Sequence, residues 1–142
     1  MNIKLMHKVA KMLDGLPKLL NDKLKYDEYT WFCLDMKDLS ISCDALGWAC
    51  LLVPNFPLKI VIECEDNSRY LFGRIVRSGR KRKRARHDDW DWTDSWDDIA
   101  AVLGIDVGVA MDTFSACGSE NVTYEDVAVR IQDLIRNSEA KT

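Results

Sequence analysis

The segment Ala45–Leu52, with the sequence ALGWACLL, is the feature that most constrains the fold of this chain. It is apolar on nearly every side, the preceding Ser40–Asp44 supplies groups that can cap a helix, and Pro54 ends it. The pattern predicts a buried central helix around which the other elements must pack. A glycine inside a helix costs about 1 kcal/mol relative to alanine. We therefore expect another element to cross the helix closely at Gly47.

The size and composition of the chain predict a single domain over residues 1–142. Of its 142 residues, 47% are hydrophobic and 30% are charged, which suits one well-filled core. No apolar run approaches the roughly 18 residues of a membrane span, and the first residues lack the pattern of a signal peptide. Five scattered cysteines, an odd number, fit free thiols in a reducing compartment. We expect a cytoplasmic protein without a membrane partner.

Four further helices are predicted from apolar residues that recur at three- and four-residue steps. They cover Ile3–Leu16, Ser95–Leu103 with an N-cap at Thr93, Asp94 or Ser95, Val107–Cys117, and a last helix that Thr123 and Asp126 open with a capping-box-like pair. Residues 19–29 are predicted to form a loop or a short helix.

One β-hairpin is predicted in the middle of the chain. The β-branched segment Leu58–Cys64 and the segment Arg69–Val76 are separated by a polar turn, as in a hairpin. Two strands alone are marginal in water, so one face should pack on the helices or on a third strand. The predicted fold class is α+β: a mainly helical single domain with one antiparallel β-hairpin at about residues 58–76.

A charged insertion, predicted at residues 77–95, holds the candidate binding residues. A basic run over residues 77–86 can neutralise phosphates, and the tryptophans that follow it can stack on exposed bases. The candidates are Arg77, Arg80, Lys81, Arg82, Lys83, Arg84, Arg86, Trp90 and Trp92. Two other interpretations stay open. The neighbouring acids of Asp88–Asp98 can repel a phosphate backbone and leave a solvated mobile extension, or the segment can dock a protein, because arginine and tryptophan anchor interfaces.

Signatures of catalysis, metals and cofactors are absent from the sequence. It contains no phosphate-binding glycine loop, no nucleophile elbow and no C-x-x-C pair, and only His7 and His87 could serve as histidine ligands. The acids of Asp88–Asp98 lack the spacing of a calcium loop. We expect neither a metal nor a cofactor. Cys43, near a helix start, is either a nucleophile with a lowered thiol pKa or a packed core residue.

The segment Ser42–Ala49 resembles the Ala-Leu-Gly-Trp-Ala segment of a group of small proteins encoded by bacteriophages and prophages. Similar features follow the same order in that group: Leu16–Pro17, an aromatic stretch near Trp31, Leu103–Ile105 and Thr123–Ala128. The cysteine of the group directly precedes the alanine, whereas Asp44 intervenes here. The resemblance implies a phage accessory protein, located in the host cytoplasm, that counters host defence.

Three functional hypotheses result. The leading one is a non-enzymatic phage accessory protein that binds a host protein or sequesters a small charged ligand. The alternative is a nucleic-acid-binding module that uses the basic run at residues 77–86. The third is an enzyme that depends on Cys43 or on the aspartate cluster.

Overall fold

The computed structural model describes residues 1–63, 69–79, 92–115 and 121–140. In these ranges the chain forms an α+β fold with five α-helices and a five-stranded sheet. The elements are α1 (Ile3–Gly15), β1 (Leu24–Tyr26), β2 (Phe32–Asp35), β3 (Ser40–Cys43), α2 (Ala45–Leu52), β4 (Leu58–Glu63), β5 (Tyr70–Arg77), α3 (Trp92–Leu103), α4 (Val107–Phe114) and α5 (Tyr124–Ala140), and a short 3₁₀ turn, Leu16–Lys18, follows α1. No helix within the described ranges has the length and apolar character needed to cross a membrane.

The sheet is mixed, and its strand order is β1-β3-β2-β5-β4. β1 pairs with β3 in parallel, and the other neighbours are antiparallel. β4 and β5 pair where the hairpin was predicted, with Leu58 opposite Arg77 and Ile60 opposite Ile75. The prediction of a mainly helical domain with a single hairpin is wrong, because three more strands extend the sheet beyond β5.

Those three strands are short, which explains why their pattern is weak. β1 has three residues and lies in the segment predicted to be a loop or short helix. β3 has four residues and lies where capping groups were predicted. So short a strand directs only two side chains towards the core, such as Leu24 and Tyr26 of β1. Pairing with distant strands stabilises these segments, and such pairing is not visible in a local pattern.

The hydrophobic core lies between the helices and one face of the sheet. α1 packs against α5, and α3 packs against β5. Fully or almost fully buried side chains fill this layer from the strands and from every helix, among them Met6, Phe32, Leu46, Leu58, Ile75, Ile99, Ala110 and Ile131.

The central helix α2 has the predicted bounds, and Asp44 caps its N-terminus. A Cβ placed on Gly47 would overlap the carbonyl oxygen of Trp31, just before β2. The predicted close crossing at Gly47 is therefore confirmed, and the crossing element is the backbone that enters β2.

The ends of the other helices differ in part from the predictions. α3 begins at Trp92, so Thr93, Asp94 and Ser95 lie inside its first turn instead of capping it. At α5 the capping-box prediction is confirmed. The Thr123 N–H donates to the Asp126 carboxylate at 2.9 Å, and the Asp126 N–H donates to the Thr123 hydroxyl at 3.2 Å.

Candidate binding surface

The second face of the sheet, called the open face below, lies opposite the helices. Successive side chains of a strand point to opposite faces, so the register assigns each described residue to one of them. Leu34, Ile41 and Ile60 pack against the core, whereas their strand neighbours do not belong to it. The open face comprises Lys25, Cys33, Asp35, Ser40, Ser42, Lys59, Val61, Tyr70, Phe72, Arg74 and Val76.

Two aromatic rings are the most exposed apolar groups on the open face. Tyr70 is 40% exposed and Phe72 is 52% exposed, two residues apart on β5. Their ring centroids are 6.3 Å apart, and the ring planes are tilted by 39°. Neighbouring exposed aromatics on a flat surface are typical of a binding site, since burying them would gain hydrophobic free energy.

An ion pair fixes the end of the open face next to these rings. Arg69 donates from Nε and Nη2 to the two carboxylate oxygens of Asp35, at 2.9 and 2.8 Å. The hydrogen bond from Arg69 lowers the pKa of Asp35 to about 2. The same guanidinium lies 5.1 Å from the Tyr70 ring centroid, a cation–π distance. The two hydrogen bonds to Asp35 therefore fix the Arg69 guanidinium, which in turn contacts the Tyr70 ring.

Three cationic residues of the open face lie on its edge strands and on β5. Lys25 and Lys59 are exposed on the two edge strands, and Arg74 lies between them on β5. Asp35 is neutralised by Arg69. Acidic groups also lie near this face, because the pKa of the Cys33 thiol is raised by burial and, in addition, by the Asp27 and Asp35 carboxylates. A polyanion would meet favourable charges at the two edge strands.

A row of small residues connects Phe72 with Lys25 across the sheet. Phe72 lies opposite Cys33, Cys33 lies opposite Ser42, and Ser42 lies opposite Lys25. The row crosses three strand spacings of about 4.8 Å, or roughly 14 Å. It forms a low floor with an aromatic ring at one end and an ammonium group at the other.

The candidate residues from the sequence are only partly within the described ranges. Arg77 is the exposed last residue of β5, on the opposite side of the strand from Tyr70 and Phe72, and its N–H donates to Asp98 at 2.9 Å. Trp92 is the first residue of α3. The other candidates lie outside the described residues: Arg80, Lys81, Arg82, Lys83, Arg84, Arg86 and Trp90.

Sequence reasoning missed the aromatic pair, although a signal for it was present. Tyr70, Phe72, Arg74 and Val76 alternate with Leu71, Gly73 and Ile75 in a segment predicted to be a strand. Both alternating sets contain apolar residues, so the pattern alone does not show which one faces the core.

The region around Cys43 favours packing over catalysis. Cys43 is fully buried at the end of β3, and burial, with the nearby Asp44 carboxylate, raises the pKa of its thiol. Asp44 accepts a hydrogen bond from the Gly47 N–H at 2.8 Å. Burial raises the pKa of Asp44 to about 8 despite this bond. A buried thiol of raised pKa lacks the thiolate character that a nucleophile needs.

Comparison of the chain with protein-family models, with curated proteins and with solved structures gave no match. Function is therefore inferred from the chemistry of the open face.

Proposed function

We propose that this chain is a non-enzymatic nucleic-acid-binding protein whose contact surface is the open face of the sheet. The observation that carries the proposal is the exposed pair Tyr70 and Phe72 on a sheet face whose two edge strands carry the exposed lysines Lys25 and Lys59. Aromatic side chains that stack on bases, next to cations that follow the phosphates, are the means by which proteins bind nucleic acid without reading its sequence.

The position of β5 supports the same proposal. The strand that carries both rings leads directly into the basic run at residues 77–86 of the sequence. The lysines and arginines of that run can neutralise phosphates, and each releases a counterion on contact. The proposed site is centred on the sheet and does not depend on that run.

Protein docking is the second candidate. An exposed tyrosine and an arginine held at its ring are residue types that anchor protein interfaces. A phage accessory protein that occupies a host protein through this face agrees with the resemblance of Ser42–Ala49 to phage proteins. Both candidates use the same surface, so their experiments must differ in the ligand.

The test of nucleic-acid binding measures affinity for a labelled single strand as a function of salt concentration. For single strands the slope of log K against log salt is about −0.7 for each phosphate neutralised. The double variant Lys25→Gln and Lys59→Gln should therefore make the slope less negative by about 1.4. The matched control, Lys4→Gln and Lys11→Gln, removes two exposed lysines of α1 and should leave the slope unchanged.

Absence of any binding at about 50 mM salt would overturn the proposal, because phosphate contacts are strongest at low salt. An equal change of slope in both double variants would also contradict it, since general charge attraction and not the open face would then account for binding. Either result would leave protein docking as the remaining candidate.

A further inference from the structure

We infer that the open face binds single-stranded nucleic acid and not duplex, with one base stacked on the Tyr70 ring and a second on the Phe72 ring. This inference rests on the proposed nucleic-acid-binding function. It adds the conformation of the ligand and the number of stacked bases.

The spacing of the rings excludes the geometry of a duplex. Successive bases of a duplex strand are about 3.4 Å apart and cover each other, whereas the two ring centroids are 6.3 Å apart. Two consecutive bases reach both rings only when the nucleic-acid strand is extended, so that its bases are nearly twice as far apart as in a duplex. Bases in a duplex also pair and stack, so their faces are not available to a protein surface.

The tilt of the rings leads to the same conclusion. Their planes differ by 39°, so bases stacked on them differ in orientation by a similar angle. The rotatable backbone of a single strand permits this difference between neighbouring bases, while base pairing in a duplex does not. Tyr70 is 40% exposed and Phe72 is 52% exposed, so a base can reach each residue from solvent.

The floor between Phe72 and Lys25 provides the path for the strand. Cys33 and Ser42 present small side chains along roughly 14 Å, and no bulky group of the row interrupts it. At the 6.3 Å spacing of the rings this length accommodates about two more nucleotides. A phosphate at the far end then meets the ammonium group of Lys25.

The experiment compares a labelled strand of about 12 nucleotides, within the usual site size of sheet-based single-strand binders, with the duplex of the same sequence. Stacking is worth enough that Phe72→Leu and Tyr70→Leu should each weaken single-strand binding by roughly 5- to 150-fold. Phe72→Tyr and Tyr70→Phe keep an aromatic face and should change the affinity by less than about twofold. Because stacking is uncharged, the leucine variants should leave the salt slope of the wild type unchanged.

The matched control is Tyr29→Leu, which removes a ring that is 75% exposed in the turn between β1 and β2. It should bind the single strand as the wild type does. Circular dichroism confirms that each variant is folded. If a leucine variant is not, Phe72→Ile or Tyr70→Ile removes the same ring with a residue that favours strands and carries the same expectation.

Equal affinity for single strand and duplex overturns this inference but leaves the proposed function intact. If Phe72→Leu and Tyr70→Leu bind the single strand as tightly as the wild type does, the inference is likewise overturned and the proposed function remains. Failure of the wild type to bind either ligand at low salt removes the proposed function and the inference together.

Discussion

Replacement of Gly47 by alanine should destabilise this protein, although the same change stabilises most helices. Glycine in a helix interior is about 1 kcal/mol less favourable than alanine. A Cβ at position 47 would overlap the Trp31 carbonyl oxygen and would lie 2.8 Å from the Trp31 carbonyl carbon and 2.9 Å from the Cys43 Cβ. Both neighbours are fixed, because one is backbone and the other is a fully buried side chain.

The cost follows from what has to move. Overpacking a well-packed core costs about 1–3 kcal/mol, and more when the backbone shifts. The backbone here also carries the hydrogen bond from the Asp44 N–H to the Thr30 carbonyl at 2.8 Å, next to the overlap. We take the upper end of the range, about 3 kcal/mol, and subtract the helix propensity gain of about 1 kcal/mol. The expected net loss of unfolding free energy is about 2 kcal/mol.

The assay is urea denaturation followed by circular dichroism, with Gly108→Ala as the matched control. Gly108 is exposed in α4, and a Cβ placed on it would have no neighbour within 4 Å, so its replacement should stabilise the protein by up to about 1 kcal/mol. With a urea m-value of about 2 kcal/mol/M, Gly47→Ala should lower the midpoint by roughly 1 M. A midpoint for Gly47→Ala equal to or above that of the wild type would refute the close approach as the reason for this glycine.

Three further predictions concern pH dependence and capping. Burial raises the pKa of Asp44 from 3.8 to about 8, so the folded state holds this proton longer than the unfolded chain and the wild type should lose stability between about pH 4 and pH 8. Asp44→Asn keeps a cap acceptor and should flatten this part of the stability profile, as measured by urea midpoints across that range. The Asp35 pKa is lowered from 3.8 to about 2, so the contribution of its bond to Arg69 is lost as the pH falls through that range. In Arg69→Gln the Asp35 carboxyl should titrate nearer its ordinary pKa by NMR. Thr123→Ala removes a helix cap and should cost about 1 kcal/mol in urea denaturation, whereas Thr123→Ser should cost less.

The helices could be predicted because their signals are local. Every residue of Ala45–Leu52 is apolar or small, with a capping aspartate before it and a proline after it, and the structure has the same bounds. The strands β1, β2 and β3 depend on each other for their backbone hydrogen bonds, and each has only three or four residues. Their formation is decided by contacts between segments far apart in sequence, which no local periodicity reports.

The candidate site could be predicted even less well than the sheet. The density of charge predicted a binding site at residues 77–86. Tyr70 and Phe72 lie in a strand that has apolar residues on both faces, so its pattern does not mark them as exposed. α3 packs on the face of β5 that carries Ile75, which is buried, whereas Phe72 lies on the other face and is exposed. The charges of the open face, Lys25 and Lys59, are far apart in sequence and meet only through the strand order.

The bridge between Asp35 and Arg69 is compatible with one alignment of β2 and β5. A shift of one residue between β2 and β5 would turn Tyr70 and Phe72 towards the helices and bring Leu71 and Ile75 to the surface. The same shift would turn Arg74 towards the core and expose Ile75, so burial already favours the observed alignment. The two hydrogen bonds of the bridge form where Asp35 lies opposite Tyr70, the residue next to Arg69. An exposed ion pair contributes little net stability, so this bridge adds to the burial of Ile75 in favouring the alignment that places the aromatic rings on the open face.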